Sequence, residues 1–580
     1  MKLRGARWAW LAVLCASAPA FFIGLEWGLP SRAADPFLFG QRKPWTGAQI
    51  VELAGDWVND PNRGADVAMS PLVGREGFLI LNGTDAARAA IVRRYRLFTY
   101  QPDEMITLRA LAGMRPGKLQ LDPKLYQYGG LWIYPVGALL KLGSGCGLVT
   151  LRSNVAWYLD HPEDFGRMYL VARAYSALWG LAGAAAIFAI VRRIIGRWQI
   201  AGIAAICFAW MPVIVNGAHE AKPHLGGAAL MLLAILSAAK YVETGSGKCW
   251  LITGLLCGAA TAMAPTAYPI FIILPLMVLL RRISRTPSLA STVFSDVRTV
   301  TLAGIIGGVT FLLFNPFLWI NLIINREVLH SNLGNSAAMY HPAANSSGIL
   351  NAAFLIVAGT SPFLALAGVL GIVLLGARAW SMRRASSAIE SNRRAVGLLL
   401  AAPAAIVLIQ FCALAAGKPG EYGRFAMLPD TFLMVEGVVM IATFVKSEPL
   451  RRFALAALLL TTMAFGGIYL RGFIRDSRET TGRLRIAGAI RAMNLGGAHA
   501  LAIDAEPAPY CLPPVDLFKW RIVLVPRGFG PSQMSNVANV AIRPLDLAPD
   551  RFKAFLNTPI SWADKHFEFR KERTSDTPER

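Results

Sequence analysis

Tyr169–Val191 reads YLVARAYSALWGLAGAAAIFAIV and runs straight into Arg192-Arg193. A mostly apolar run of about 20 residues is long enough to cross the hydrocarbon of a bilayer as a helix. A helix is the form it takes there, because every backbone N–H and C=O must be satisfied within the segment. Runs of the same kind are Trp8–Leu29 before it and, after it, Ile200–Val215, Leu225–Tyr241, Trp250–Ala264, Thr266–Leu280, Val300–Ile320, Ile349–Leu375, Val396–Ala416, Phe425–Phe444 and Phe453–Leu470. The pattern predicts an all-α polytopic membrane domain of about eleven transmembrane helices. Composition agrees: 55% of the 580 residues are hydrophobic and only 16% are charged, where soluble domains carry about 25% charged residues.

The basic residues orient these segments. Cytoplasmic ends of transmembrane helices are enriched in Lys and Arg. Arg192-Arg193, Lys240 with Lys248, Arg281-Arg282, Arg378 with Arg383-Arg384, and Arg451-Arg452 follow every second segment. That alternation places the N-terminus inside and three parts outside. They are a long loop over 30–168, a set of short loops, and the tail 472–580. Arg471, Arg475 and Arg478 run against the rule at the start of the tail. Ala16-Ser17-Ala18 resembles a signal-peptidase site, but the apolar run continues past it, so residues 1–29 read as an uncleaved first helix. The expected order is therefore helix 1–29, external loop 30–168, multi-helix membrane domain 169–471 and external domain 472–580. The tail reads as a small α/β unit: a helix over Thr481–Met493, strands at Ala500–Ile503 and Ile522–Val525, and a Pro-rich loop over Glu506–Pro514. The net charge of +23 meets anionic lipid headgroups at helix ends rather than nucleic acid. The seven cysteines are scattered, with no metal-like spacing.

Candidate chemistry lies in the external parts. Asp103-Glu104 follows Pro102, where a helix can start. Asp103 then either caps that helix or, favoured by its dipole, serves as a catalytic carboxylate. Tyr128 belongs to an aromatic stretch, Leu125–Pro135, suited to an interfacial segment or to stacking on a sugar. His219-Glu220-Ala221-Lys222-Pro223-His224 packs four ionisable groups into a turn between two apolar runs, which is costly unless used. Lys222 fits a phosphate; Glu220 fits a second acid, a metal ligand or an ion-pair partner; His224 joins them. No cofactor is required by these residues, and a divalent metal held by His219 and His224 with Glu220 or Asp103 is left open. Lys418 to Arg424 forms another basic patch, and Arg424 has the guanidinium geometry for phosphate. Glu436 stands mid-segment, where a carboxylate is a functional candidate.

With a first helix, an external loop holding Pro-Asp-Glu, aromatic interfacial segments, further helices and an external tail, the chain resembles the GT-C-type membrane glycosyltransferases. The branch it is most similar to holds the protein O-mannosyltransferases and the lipid A aminoarabinose transferase. The resemblance covers about Phe98 to Leu470. It implies a polyprenyl-phosphate sugar as donor, an extracytoplasmic protein, glycan or lipid acceptor, and a multi-pass protein of the inner (plasma) membrane. It implies Asp103 as catalytic base and matches Arg424–Pro429 to a late Arg-aromatic-x-x-Leu-Pro motif, with Glu220 as a looser match to a second acid. Three departures stand out. The insert from Arg32 to Leu97 is long, Tyr128-Gly129-Gly130 replaces a Lys-Pro-Pro, and Pro223-His224 replaces a Pro-Asp. Lys222 is the substitute expected for the missing lysine. The alternative function is a transporter or flippase of lipid-linked sugars, which would concentrate charge at the bilayer midplane.

Overall fold

The computed structural model describes residues 2–55, 78–101, 103–284, 292–339, 346–381, 388–414, 420–477, 483–492, 499–503, 514–525, 538, 540–544 and 567–570. Among them, seven helices are long and apolar enough to cross a membrane: Pro162–Ile195, His224–Thr244, Pro265–Ile283, Phe294–Phe314, Arg393–Leu414, Gly423–Phe444 and Glu448–Ser477. Two bent pairs bring the number to nine. Trp198–Trp210 and Pro212–Ala218 meet at 62°, and Gly348–Thr360 and Pro362–Arg378 meet at 110°. Leu11–Phe22 and Gly247–Met263 are shorter apolar helices. Every predicted run is thus largely helical; against about eleven expected spans, seven to nine pass by length and composition, and two of the expected runs form the shorter helices. A proline follows each bend, at Pro212 and Pro362, and a proline restricts the residue before it away from the α conformation.

The first helix ends at Phe22 rather than near Leu29. The residues after it turn over the top of the bundle and offer their carbonyls to the interior of the site described below. At the other extreme, the last helix, Glu448–Ser477, extends 30 residues and carries Arg471 and Arg475 on its final turns. Those two arginines, which run against the charge rule, therefore belong to a helix that projects past its own apolar stretch.

Small residues let the helices touch. Gly254 faces the backbone of Ala303, so a Cβ there would stand 2.5 Å from the Ala303 carbonyl oxygen. Gly258, one turn on, faces Gly307 in the same way. In lipid, where helices gain little from hiding apolar surface, such close packing is a main source of association.

The loop over 30–168 and the tail share one sheet. Five strands make a sheet in the order β1-β3-β2-β4-β5. Here β1 is Leu79–Ile80, β2 is His499–Ile503, β3 is Trp520–Leu524, β4 is Val540–Pro544 and β5 is Phe567–Arg570. The three central strands are parallel and both edges antiparallel. The expected helix is present as Arg483–Arg491, and the Pro-rich loop at Glu506–Pro514 falls almost wholly outside the described residues. The first edge strand comes from the long loop, some 400 residues away in sequence. Asn82 fastens it, donating to Leu517 O at 2.9 Å and Trp520 O at 2.6 Å while accepting from Ile522 N at 2.9 Å. The Arg32–Leu97 insert is therefore a platform. At its centre the buried Arg96 donates to Asp35 at 2.9 Å and to the carbonyls of Trp45 and Leu159 at 2.9 and 3.1 Å.

Candidate active site

Three side chains from three helix-leading turns meet at one carboxylate oxygen. Asp103 precedes the helix Glu104–Ala112. Lys222 lies in the turn before His224–Thr244. Arg424 sits in a 3-10 turn, Gly420–Ala426, leading into Met427–Phe444. Lys222 Nζ donates to Asp103 Oδ2 at 3.0 Å and Arg424 Nη2 to the same oxygen at 3.4 Å. Asp103 occupies the N-cap position of its helix but makes no capping hydrogen bond. Its carboxylate is spent on the two cations instead, so the capping alternative does not describe it. The Asp103 side chain keeps 23% of its surface exposed, whereas Lys222 keeps 2%. The carboxylate thus faces outward with the cations beneath it. Burial pushes the Asp103 carboxyl up, but the Lys222 and Arg424 charges outweigh it and hold the group below the usual carboxylate range.

Glu104 has a different office. Arg173, from the interior of Pro162–Ile195, donates to both its oxygens at 2.8 and 2.6 Å. Thr99 Oγ1 donates at 2.5 Å and the backbone N–H of Ala221 at 2.7 Å. Both partners of this pair are fully buried. Four donor groups occupy the carboxylate, an arrangement that fits a bracing role better than the catalytic one expected of Glu104 beside Asp103. The same Arg173 donates to Leu25 O and Trp27 O at 2.5 and 2.7 Å and lies over the Trp27 ring. Glu104 and Arg173 thereby tie the end of the first helix, the Asp103 turn and the Lys222 turn into one unit. Arg173 was passed over in the sequence because it sits inside an apolar run. A lone arginine there is itself the signal, since an intramembrane charge demands a partner.

Glu220 supports Lys222. Its Oε1 accepts from Asn216 Nδ2 at 3.0 Å and Gln101 Nε2 at 3.3 Å, and its Oε2 lies 3.5 Å from Lys222 Nζ. His219 presents both ring nitrogens to backbone carbonyls, Val215 O and Ile23 O, at 2.8 Å each, and stacks on Phe473. Burial lowers its pKa to about 4. His224 packs edge-on against Phe425 and Tyr128, with centroids 4.9 and 6.2 Å away. Among the described residues, no three His, Cys, Asp or Glu side chains converge to hold a metal. The metal reading of His219, His224 and Glu220 is not supported by where their donor atoms point. Lys418 lies outside the described residues.

Tyr128 stands edge-on to His224, and the glycines after it explain the missing Lys-Pro-Pro. Gly129 N donates to Met263 O at 3.2 Å and Gly130 N to Asn315 Oδ1 at 2.9 Å. A Cβ at Gly129 would collide with the Ala262 carbonyl, and one at Gly130 with the Phe314 carbonyl. Any larger residue would push this segment off two helix ends. Gly130→Ala is expected to lower stability by about 1–3 kcal/mol, the usual cost of overpacking, because the obstacle is backbone and cannot rotate away. Thermal unfolding of the purified variant measures it.

Beside Arg424 and His224 lies a narrow pocket. Its walls are apolar, among them Ala228, Met231, Val407, Phe411 and Leu428. A charged mouth and a greasy interior suit a molecule with an anionic head and a hydrocarbon chain.

Comparison with known proteins points the same way over part of the chain. Among curated proteins, none matches in sequence. Among solved structures, ArnT from Cupriavidus metallidurans bound to undecaprenyl phosphate shares 14% identity, covering 82% of this chain and 98% of that one, with a TM-score of 0.37. The apo state of the same protein gives 15%, 79%, 96% and 0.36. At those scores the likeness is distant. Residues 165–311 match the family model described as dolichyl-phosphate-mannose-protein mannosyltransferase. The matched stretch contains Arg173, Glu220 and Lys222, while Asp103 and Arg424 lie outside it. The family match bears out the resemblance read from the motifs: over residues 165–311 the chain is similar to the dolichyl-phosphate-mannose-protein mannosyltransferases, membrane glycosyltransferases of the GT-C type.

Proposed function

We propose that the protein transfers a sugar from a polyprenyl-phosphate carrier to an extracytoplasmic acceptor, with inversion at the anomeric carbon. The observation that carries this reading is one carboxylate, Asp103, held by Lys222 and by Arg424, whose side chain also lines an apolar pocket. Asp103 takes the proton of an acceptor hydroxyl as its oxygen attacks the anomeric carbon. The bond from that carbon to the phosphate oxygen breaks, and its electron pair leaves with the phosphate. Lys222 and Arg424 stabilise the charge that develops there. Glu104, Arg173 and Glu220 hold the two loops in register, and the carrier's chain lies along the cavity beside Phe411 and Met231. Tyr128 and His224 form the wall nearest the sugar. The helix ends that carry Arg192-Arg193, Lys240 and Arg281-Arg282 lie away from Asp103, which supports an extracytoplasmic site by the positive-inside rule.

The test is donor turnover. Purified protein in liposomes is given labelled polyprenyl-phosphate hexoses and pentoses with a membrane extract as acceptor. Label is expected to pass to the acceptor with release of polyprenyl phosphate. Intact donor across the whole panel would overturn the proposal.

The paired cations also set a pH prediction. They favour the ionised form, so the stability they lend through Asp103 is present above the ordinary carboxylate pKa of about 3.9 and is lost as pH falls through its lowered native value. The acid limb of kcat/KM, which reports the free enzyme, is expected below about pH 4. A bound donor phosphate draws Lys222 and Arg424 to itself and adds a negative charge near Asp103. Both effects raise the Asp103 pKa, so the acid limb of kcat is expected at higher pH than that of kcat/KM. Coincident limbs would show that donor and Asp103 do not share these cations.

A further inference from the structure

A second charged groove lies at the other end of the bundle. It is bounded by the C-terminal ends of Pro162–Ile195 and Pro362–Ser381, the N-terminal part of Ala388–Leu414 and the C-terminal half of Met427–Phe444. Arg378, Arg393 and Arg394 stand in it with a single carboxylate, Glu436. Met427–Phe444 has 18 residues, so its two ends lie about 27 Å apart. The groove is therefore remote from Asp103, which sits beyond the first of those ends.

The groove has the build of a lipid site. Its cavity is about 470 Å³, far roomier than the narrow pocket beside Arg424. Its remaining walls are largely apolar, and Ile372 and Leu398 on them are 40% and 50% exposed. In a spanning bundle that exposure faces hydrocarbon, so the groove opens sideways into the bilayer. Arg393 Nη2 reaches the last carbonyl of its neighbour helix, Ile195 O, at 3.5 Å, and Arg378 lies 6.0 Å over the Phe444 ring. Both guanidinium groups thus sit at helix-end depth, where headgroup phosphates lie. Glu436 stands seven residues before Thr443, about two helical turns deeper. Among the described residues it makes no ion pair. Among the described lining residues three arginines stand with one carboxylate, a composition that suits an anion.

We propose that this groove binds an anionic phospholipid of the leaflet opposite the Asp103 site. Its phosphate would lie among Arg378, Arg393 and Arg394, with an acyl chain along Ile372, Leu398 and Val439. A phosphodiester accepts paired hydrogen bonds from guanidinium, and a basic side chain near an anionic headgroup contributes roughly a fivefold gain in binding. The carboxylate of Glu436 opposes it. The inference does not depend on the transfer reaction.

Native mass spectrometry of the purified protein, titrated with phosphatidylglycerol or phosphatidylcholine of equal chain length, tests it. Wild type is expected to retain phosphatidylglycerol at least tenfold more tightly. The triple variant R378Q/R393Q/R394Q is expected to lose that preference. Glu436→Gln is expected to strengthen phosphatidylglycerol binding severalfold, and the single Arg393→Gln to weaken it about fivefold, so the signs remain readable if the triple variant does not fold. Equal retention of the two lipids, or a preference that survives in the triple variant, would overturn the proposal. So would a triple variant that loses undecaprenyl phosphate while keeping phosphatidylglycerol, since the groove would then be a carrier site.

Discussion

Asp103→Asn is expected to lower kcat by about 10²- to 10⁴-fold, the span contributed by a positioned general base. The substitution keeps the shape and the hydrogen-bonding reach of the side chain. What disappears is the negative charge that takes the acceptor proton and balances Lys222 and Arg424. Donor affinity should not fall with it. The two cations lose a competitor for the donor phosphate, so KM for donor is expected to stay level or drop. That combination, a large loss in kcat without a rise in KM, marks a group that works in the transition state rather than in ground-state binding. Transfer of labelled sugar in liposomes, with insertion and unfolding temperature checked against wild type, reads both quantities. A normally folded Asp103→Asn protein with wild-type turnover would remove Asp103 from the chemistry.

Breaking the Glu104–Arg173 pair is expected to cost about 3–5 kcal/mol of stability, because either single substitution strands an uncompensated buried charge. Glu104→Met leaves the Arg173 guanidinium with only the carbonyls of Leu25 and Trp27. Arg173→Met leaves the Glu104 carboxylate with Thr99 and the Ala221 N–H. The double variant Glu104→Met/Arg173→Met removes both charges at once and is expected to recover much of the loss, since a buried ion pair and an apolar pair of similar volume are often close in stability. Thermal unfolding of the three variants measures this. The pattern separates a brace from a catalyst. If Glu104 acted chemically, the double variant would regain stability but no activity. If it braces, activity should return in part with stability, limited by how well methionine holds the Asp103 and Lys222 turns. Equal destabilisation in all three would mean that packing around the pair, rather than its charge, holds the loops.

The membrane segments were legible because what makes them helical is local. A run such as Tyr169–Val191 must satisfy its own backbone and offers lipid an apolar face, whatever its neighbours do. The bends were half-legible. Pro212 and Pro362 mark them, but whether a proline bends a span by 62° or 110° depends on what packs outside it. The site was legible in its residue types and in the loops that carry them. Asp103, Lys222 and Arg424 could be named as acid and phosphate clamps because each is an ionisable group beside an apolar run. Their meeting at a single oxygen could not be read, since it requires Met427–Phe444 and His224–Thr244 to begin at the same level of the bundle as the 103 turn. In the sequence, only the family resemblance separated Asp103, as base, from its neighbour Glu104. About 100° of helical rotation turns one toward Arg173 and the other toward Lys222 and Arg424.

Alone, the amino-acid order determined that this is a multi-helix membrane protein with its acids and bases gathered in the loops, because hydrophobic periodicity and helix-end charge are properties of short stretches. Only the tertiary structure decided that Glu104 is held by Arg173, that Gly129 and Gly130 pack against two helix-end carbonyls, and that a dipeptide strand, Leu79–Ile80, joins a sheet built from the tail. Each of those depends on contacts between segments far apart in the chain. Such contacts follow from packing distances between helices, which no local pattern of residues encodes.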